Sequence, residues 1–313
     1  MKVVVISGPT ASGKTSLSIE LAKRFHGEVV NFDSLLLYKE ITIGTAKPTS
    51  EEMDGVPHHM IAVRSISDAM NAADYFREAK PLVDSLLSQG KTVFLVGGSG
   101  FYLQALLKGM YESETTPPEI QERSNNLYQE QGIKPFIEFI KEHDKDSYER
   151  YHENDHYRIR RAVEHFWTTG SPLSVARTQK DLANIEMNSQ SIHEWEVLHI
   201  YLDIPKDEHF KIIQQRTNKM IQDGLVEEVK SLLLNGFTGK EKPLQSIGYF
   251  ETLEYLQGGF STLEDFKERI SISTRQLAKS QRTWFNREKQ KLSFHPIKDR
   301  ELIIENVSLF LGK

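Results

Sequence analysis

Gly8-Pro9-Thr10-Ala11-Ser12-Gly13-Lys14-Thr15 follows the apolar run Val3-Val4-Val5-Ile6 and precedes a helical pattern over residues 16–25. The spacing is G-x-x-x-x-G-K-T, a phosphate-binding loop in the strand–loop–helix setting that such a loop requires. Its glycines let backbone N–H groups turn inward around an anion, and the helix start adds free N–H groups and a positive dipole end. Lys14 contributes a point charge, and Thr15 a hydroxyl suited to Mg²⁺. The loop therefore predicts phosphate or diphosphate binding at residues 8–15, without naming the reaction.

The rest of the N-terminal third extends this unit. Glu28-Val29-Val30-Asn31-Phe32 reads as a strand ending at Asp33-Ser34, and Thr92-Val93-Phe94-Leu95-Val96 as another, stopped by Gly97-Gly98-Ser99-Gly100. Between them, Tyr75, Ala79, Leu82, Val83, Leu86 and Leu87 recur at helical spacing. Strands alternating with helices predict a parallel sheet with right-handed crossovers. The loops after such strands line one crevice at their carboxyl ends, which brings Asp33 and the second glycine loop beside the bound phosphates. Residues 111–118 read as a linker, and from 119 to about 170 the pattern is amphipathic, charge-rich and helical. Strand character returns at Val197-Leu198-His199-Ile200-Tyr201-Leu202, and helical stretches are expected at about 206–235, 246–257 and 262–289. The expected fold class is α/β, a P-loop NTPase-like parallel sheet core over 1–112 and 192–313 with an inserted all-helical domain at 113–191.

Composition excludes several classes. The 313 residues include no cysteine, which removes disulfides and cysteine-based zinc sites and fits a reducing cytoplasm. No apolar run approaches the roughly 20 residues of a membrane span, and the N-terminus enters a strand without a signal-like pattern. A net charge of −5 means that a nucleic-acid partner would need local basic patches.

Local readings of individual residues leave alternatives open. Asp33, at a strand's carboxyl end, suits a helix cap, a carboxylate near Mg²⁺, or a general base beside a phosphate site. His58-His59 has the wrong spacing for two ligands on one helix face and reads as a structural loop. Tyr157, Arg158, Ile159, Arg160 and Arg161 form a basic cluster in the insertion, read either as a solvated face or as a phosphate clamp with a stacking ring. Arg216 and Lys219 suit surface salt bridges or an anion clamp. The final long helix is basic, with Lys279, Gln281, Arg282 and Arg287 around Trp284 and Phe285; the two aromatics read as packing residues beside a phosphate-backbone patch.

Taken together, these motifs resemble the tRNA dimethylallyltransferase (tRNA isopentenyltransferase) family in its bacterial form. The resemblance is carried by residues 8–15; Asp33-Ser34 with Tyr38 and residues 43–48; Pro57-His58-His59; Gly97-Gly98-Ser99-Gly100-Phe101-Tyr102; Asn154-Asp155, Arg158 and Arg161-Ala162-Val163-Glu164; Gly224-Leu225-Val226-Glu227-Glu228-Val229; Gln245-Ser246-Ile247-Gly248-Tyr249; and Thr274-Arg275-Gln276. It implies transfer of a dimethylallyl group from dimethylallyl diphosphate to N6 of adenine 37 in tRNA, with Mg²⁺. On this reading residues 8–15 (Gly8, Pro9, Thr10, Ala11, Ser12, Gly13, Lys14 and Thr15) and Arg216 bind the diphosphate, and Asp33 takes the amine proton. The base must leave its stack to reach the crevice. The tRNA contacts implied are Asp33, Ser34, Leu35, Leu36, Ser99 and Arg123; Tyr157, Arg158, Ile159, Arg160 and Arg161; Gln245, Ser246, Ile247, Gly248, Tyr249 and Phe250; and Lys279, Gln281 and Arg282. The insertion would grip the anticodon stem-loop, and a cytoplasmic monomer is expected. The sequence departs from the family pattern at Leu36, where Gln is common, at Ser99, where Thr is usual, at Gln121, near which Arg is common, and at Glu40, where Gly is usual.

Two rivals share the P-loop. A small-molecule kinase using ATP–Mg²⁺ explains residues 8–15 but gives the Arg-rich insertion and the basic last helix no role. A GTPase-like RNA-binding switch lacks an Asn-Lys-x-Asp motif for guanine.

Overall fold

The computed structural model describes residues 1–109, 116–178 and 195–313. The chain forms two compact units, residues 1–107 with 193–313 and residues 108–192. The expected boundaries at 112/113 and 191/192 lie outside the described residues.

The first unit is built on six parallel strands in the order β3-β2-β4-β1-β5-β6. These are β1 (Lys2–Ser7), β2 (Gly27–Asn31), β3 (His58–His59), β4 (Thr92–Gly97), β5 (Glu196–Leu202) and β6 (Leu292–Phe294). Val3, Val4, Val5 and Ile6 are fully buried, as expected for a central parallel strand covered on both faces. β4 lies between β1 and β2, pairing Ser7 with Gly97 and Asn31 with Val96. This register brings the three carboxyl-end loops together.

Two edge strands were not legible. His58-His59, expected as loop, pairs with Val29 and Val30, and β6 pairs with β5. Both are too short to show a period. The stretch expected as one helix over 206–235 is two, Lys206–Gln222 and Leu225–Leu234. The break is at Gly224, whose φ of +100° favours glycine.

One face of the sheet is covered by Lys14–Arg24, through Leu17, Leu21 and Ala22, with Ile303, Ile304 and Val307 of the C-terminal helix Arg300–Leu311. A second core joins Tyr38 and Ile41 to Leu225, Val229, Tyr249, Phe266 and Ile270 of the C-terminal helices. The long helix Leu263–Phe285 packs on Lys206–Gln222, where Ser271 meets Thr217.

The second unit is helical, as expected: Pro118–Gln131, Lys134–His143, Lys145–Arg150 and His156–Thr169. Its own core includes Phe136, Ile140, Ile159, Ala162, Val163 and Leu173.

Candidate active site

A cavity of about 460 Å³ opens at the carboxyl edge of the sheet. Its walls include the P-loop, Asp33, Arg216, the polar side chains of Asn31, Thr45, Glu52 and His58, and the apolar side chains of Val29, Leu36, Ile61, Pro48 and Val96. Lys14 and Arg216 supply its positive charge, and apolar side chains supply part of the remaining wall.

The cationic end is electrostatically incomplete. Lys14 Nζ donates to the carbonyls of Gly8 (3.0 Å) and Pro9 (2.9 Å). Burial pushes its pKa down to about 8; Asp33 opposes that shift and Arg216 adds to it. Arg216 is depressed by the same burial, again opposed by Asp33, and its Nη2 donates to Thr45 O at 3.2 Å. Two desolvated cations thus share one carboxylate, which favours an added anion. Ser12 Oγ, in the cavity wall, is buried with no hydrogen-bond partner, a further vacancy for an anion's oxygen. Gly13 and Ala11 hold the loop's turn at φ +82° and +62°, and helix geometry leaves the N–H groups of Lys14 and Thr15 free. The N–H of Thr10, by contrast, donates to Gln281 Oε1 at 2.7 Å.

Asp33 is fixed by a turn and not by a helix. Its Oδ1 accepts from Leu35 N at 3.1 Å, and its backbone N–H donates to Asn31 Oδ1 at 2.8 Å. Asn31 Nδ2 donates to the carbonyls of Asp33 and Met60. Asp33 Oδ2 has no hydrogen-bond partner among the described residues, so one carboxylate oxygen stays available in the cavity wall. Ser99 Oγ accepts from Ser34 N (3.0 Å) and donates to Ser34 Oγ, tying the second glycine loop to the Asp33 loop.

The remaining expected residues separate by environment. Leu36 lines the cavity, while Leu35 packs on the second core. Lys219 pairs with Asp223 at the surface, so only Arg216 of that pair reaches the cavity. In the segment 245–250, Gln245 and Phe250 are exposed, Gly248 and Tyr249 are buried, and Ile247 joins the second core. Ser246 Oγ donates to Pro243 O at 2.6 Å. Lys279 is exposed on helix Leu263–Phe285; Gln281 and Arg282 turn inward. Phe285 is fully buried against Tyr201, and Trp284 packs so closely on Gly100 that a Cβ there would sit 2.0 Å from the indole.

In the second unit, Tyr157 is 72% exposed and Arg158 is exposed beside Asp155. Ile159 is buried. Arg160 lies over the Tyr128 ring and donates to Ser124 and Asn125. Arg161 pairs with Glu164, and Arg123 lies over Trp167 at 4.0 Å. The departure at Glu40 has a local role: its carboxylate accepts from Ile66 N at 3.0 Å.

Three contributors had no assigned role in the sequence reading. Glu228 accepts from the N–H groups of Thr42, Ile43 and Gly44, from Thr42 Oγ1, and from Tyr249 OH, so one carboxylate fixes the loop that carries Thr45. His209 holds Thr10 O, and Asn31 holds the Asp33 turn. Glu228 stood within a recognised motif, but its five donors are spread over separate segments and nothing local marks them.

This geometry defines a P-loop α/β protein with an anion-seeking site, an available carboxylate and a partly apolar chamber. The IPP transferase family model matches residues 36–288, and the chain belongs to that family. It is 38% identical to tRNA dimethylallyltransferase 2 of Geotalea uraniireducens over 92% of this chain and 90% of that one. It is 36% identical to the tRNA dimethylallyltransferase of Oceanobacillus iheyensis, over 100% and 96%. Among solved structures, it resembles the full-length tRNA isopentenylpyrophosphate transferase of Bacillus halodurans, with 30% identity, a TM-score of 0.71 and coverage of 99% and 97%. It also resembles a eukaryotic dimethylallyltransferase acting on tRNA, with 26% identity, a TM-score of 0.79 and coverage of 100% and 80%. Membership in this family disfavours the kinase and switch readings. Among the described residues, no helix is long and apolar enough to cross a membrane.

Proposed function

We propose that this protein transfers the dimethylallyl group of dimethylallyl diphosphate to N6 of adenine 37, beside the anticodon of tRNA, releasing diphosphate. The observation that carries the reading is the pairing of two desolvated cations, Lys14 and Arg216, with the available Oδ2 of Asp33 at one end of a partly apolar cavity. The diphosphate occupies the P-loop end. Lys14, Arg216 and the N–H groups at the helix start neutralise the charge that grows on it as the allylic C–O bond breaks. Val29, Leu36 and Ile61 seat the five-carbon tail. As the N6–C bond forms, the amine proton passes to Asp33 Oδ2, which balances the step.

Thr15 fits a role at Mg²⁺. Its hydroxyl has no hydrogen-bond partner among the described residues, and no cluster of three acidic or histidine side chains is found among them. A cation would therefore rest on Thr15, the diphosphate oxygens and water, the ligand set that magnesium commonly takes. Bound there, it would supply further neutralisation of the leaving group.

The same reading assigns Tyr157 and Arg158 to the tRNA backbone and bases, and takes the protein to be a cytoplasmic monomer. The deciding experiment supplies Mg²⁺, labelled dimethylallyl diphosphate and an unmodified tRNA transcript with adenines following position 35, with ATP in a parallel reaction. Label at the adenine beside the anticodon is the expected result. Phosphate transfer from ATP with no prenylated tRNA would replace this reading with the kinase.

A further inference from the structure

Among the described residues, Thr10 is the one P-loop residue whose peptide groups on both sides are held by side chains from the C-terminal half. Its N–H donates to Gln281 Oε1 at 2.7 Å, and its carbonyl accepts from His209 Nε2 at 2.8 Å. Gln281 Nε2 also donates to Gly98 O at 3.0 Å. The partners fix the amide's orientation, because a peptide N–H only donates and a carbonyl only accepts. His209 is fixed likewise: Arg282 Nη2 donates to its Nδ1 at 2.9 Å, leaving the proton on Nε2 for Thr10. Arg282 is itself anchored on Asp203 Oδ1 and Ile204 O. The approach is close, since a Cβ on Gly98 would lie 2.5 Å from Gln281 Nε2 and 3.5 Å from Asp33 Oδ2.

We propose that Gln281 is a positioning residue that locks the diphosphate loop to the glycine loop beside Asp33, and is not a tRNA contact. Both functional groups of its amide already hold partners inside the unit, which commits the amide's orientation to these two loops and leaves one N–H and one lone pair over. Through Thr10 it sets the path of the loop that cradles the diphosphate. Through Gly98, just past β4, it ties that loop to the backbone that packs beside Asp33. His209, fixed by Arg282, holds the next peptide, on the other side of Thr10. The proposal rests on the P-loop taking the allylic diphosphate.

The test measures binding of dimethylallyl diphosphate and of tRNA separately, by calorimetry and by filter binding, so that turnover is not the readout. Gln281→Met keeps the length and removes both hydrogen bonds. It is expected to weaken diphosphate affinity about tenfold or more and to leave tRNA affinity within about twofold. Gln281→Glu adds a signature that general damage to the fold would not produce. As a carboxylate it faces the Gly98 carbonyl without a donor; once protonated, its O–H restores that bond. Its diphosphate affinity relative to wild type is expected to recover as pH falls towards 5, while Gln281→Met does not recover. Weakened tRNA binding with unchanged diphosphate binding in either variant would overturn the proposal. Recovery of both variants at low pH would also overturn it. If wild-type protein fails to bind dimethylallyl diphosphate, the functional reading fails, and the proposal fails with it.

Discussion

Asp33→Ala is expected to lower kcat by roughly 10²–10⁴-fold while tRNA affinity changes little, because the carboxylate acts on a proton and not on the backbone of the substrate. Single-turnover prenylation beside a tRNA binding curve checks this; unchanged turnover would remove Asp33 from the mechanism. Lys14 gives a pH signature. Its pKa, pushed down to about 8 by burial, means that the free protein loses this cation above that pH. Affinity for inorganic diphosphate should therefore be steady below about pH 8 and fall by up to about tenfold per pH unit above it. A flat titration between pH 7 and 9.5 would show that Lys14 does not face the anion. The same residue illustrates what local sequence conveys. Its place in G-x-x-x-x-G-K-T marked it at once, whereas its partner Arg216 becomes a site residue only because a helix 200 residues later is packed against the loop.

At the scale of elements, helix His156–Thr169 divides its own basic cluster. Arg158→Ala should leave the melting temperature unchanged, weaken tRNA binding, and reduce the slope of log affinity against log salt by about one. Arg160→Ala should do the reverse. It removes hydrogen bonds to Ser124 and Asn125 and the stack on Tyr128, and is expected to destabilise the fold by about 1–3 kcal/mol. Thermal melts and salt-dependent binding curves on the two variants separate these roles. The sequence showed three arginines among five adjacent residues; the 100° turn per residue leaves Arg158 in solvent and turns Arg160 onto its neighbours, with Ile159 in the core. The loop–helix clamp at Glu228 acts at the same scale. Glu228→Ala leaves Tyr249 OH and the N–H groups of Thr42 and Ile43 without their acceptor, while Gly44 N–H keeps Tyr249 OH. A loss of about 3 kcal/mol is expected, with weaker diphosphate binding because the Thr45 carbonyl that anchors Arg216 loses its support.

At the scale of the whole molecule, β5 next to β1 buries His199 against Ser7 Oγ at 2.6 Å. Burial, reinforced by Lys291, pushes its pKa down to about 4, against 6.5 when exposed. With a depressed folded value, the unfolded chain takes up the proton first. Stability is therefore greatest above about pH 6.5 and is lost as pH falls towards 4, with about 2 kcal/mol of the loss between pH 7 and pH 5. Urea titrations of wild type and His199→Gln at the two pH values should differ by that share. The sequence by itself determined the parallel α/β core, the strand–loop–helix at residues 8–15 and the helical character of the insertion. Each is written in local spacing, an apolar run, a glycine pair or a 3.6-residue period. Only tertiary structure decided the two-residue strand at His58-His59, the inward turn of Gln281 and Arg282, the five donors gathered on Glu228, and the meeting of Lys14, Arg216 and Asp33 at one cavity. Those features depend on contacts between segments up to 271 residues apart. Burial, register and charge at such distances follow from packing, which no local pattern encodes.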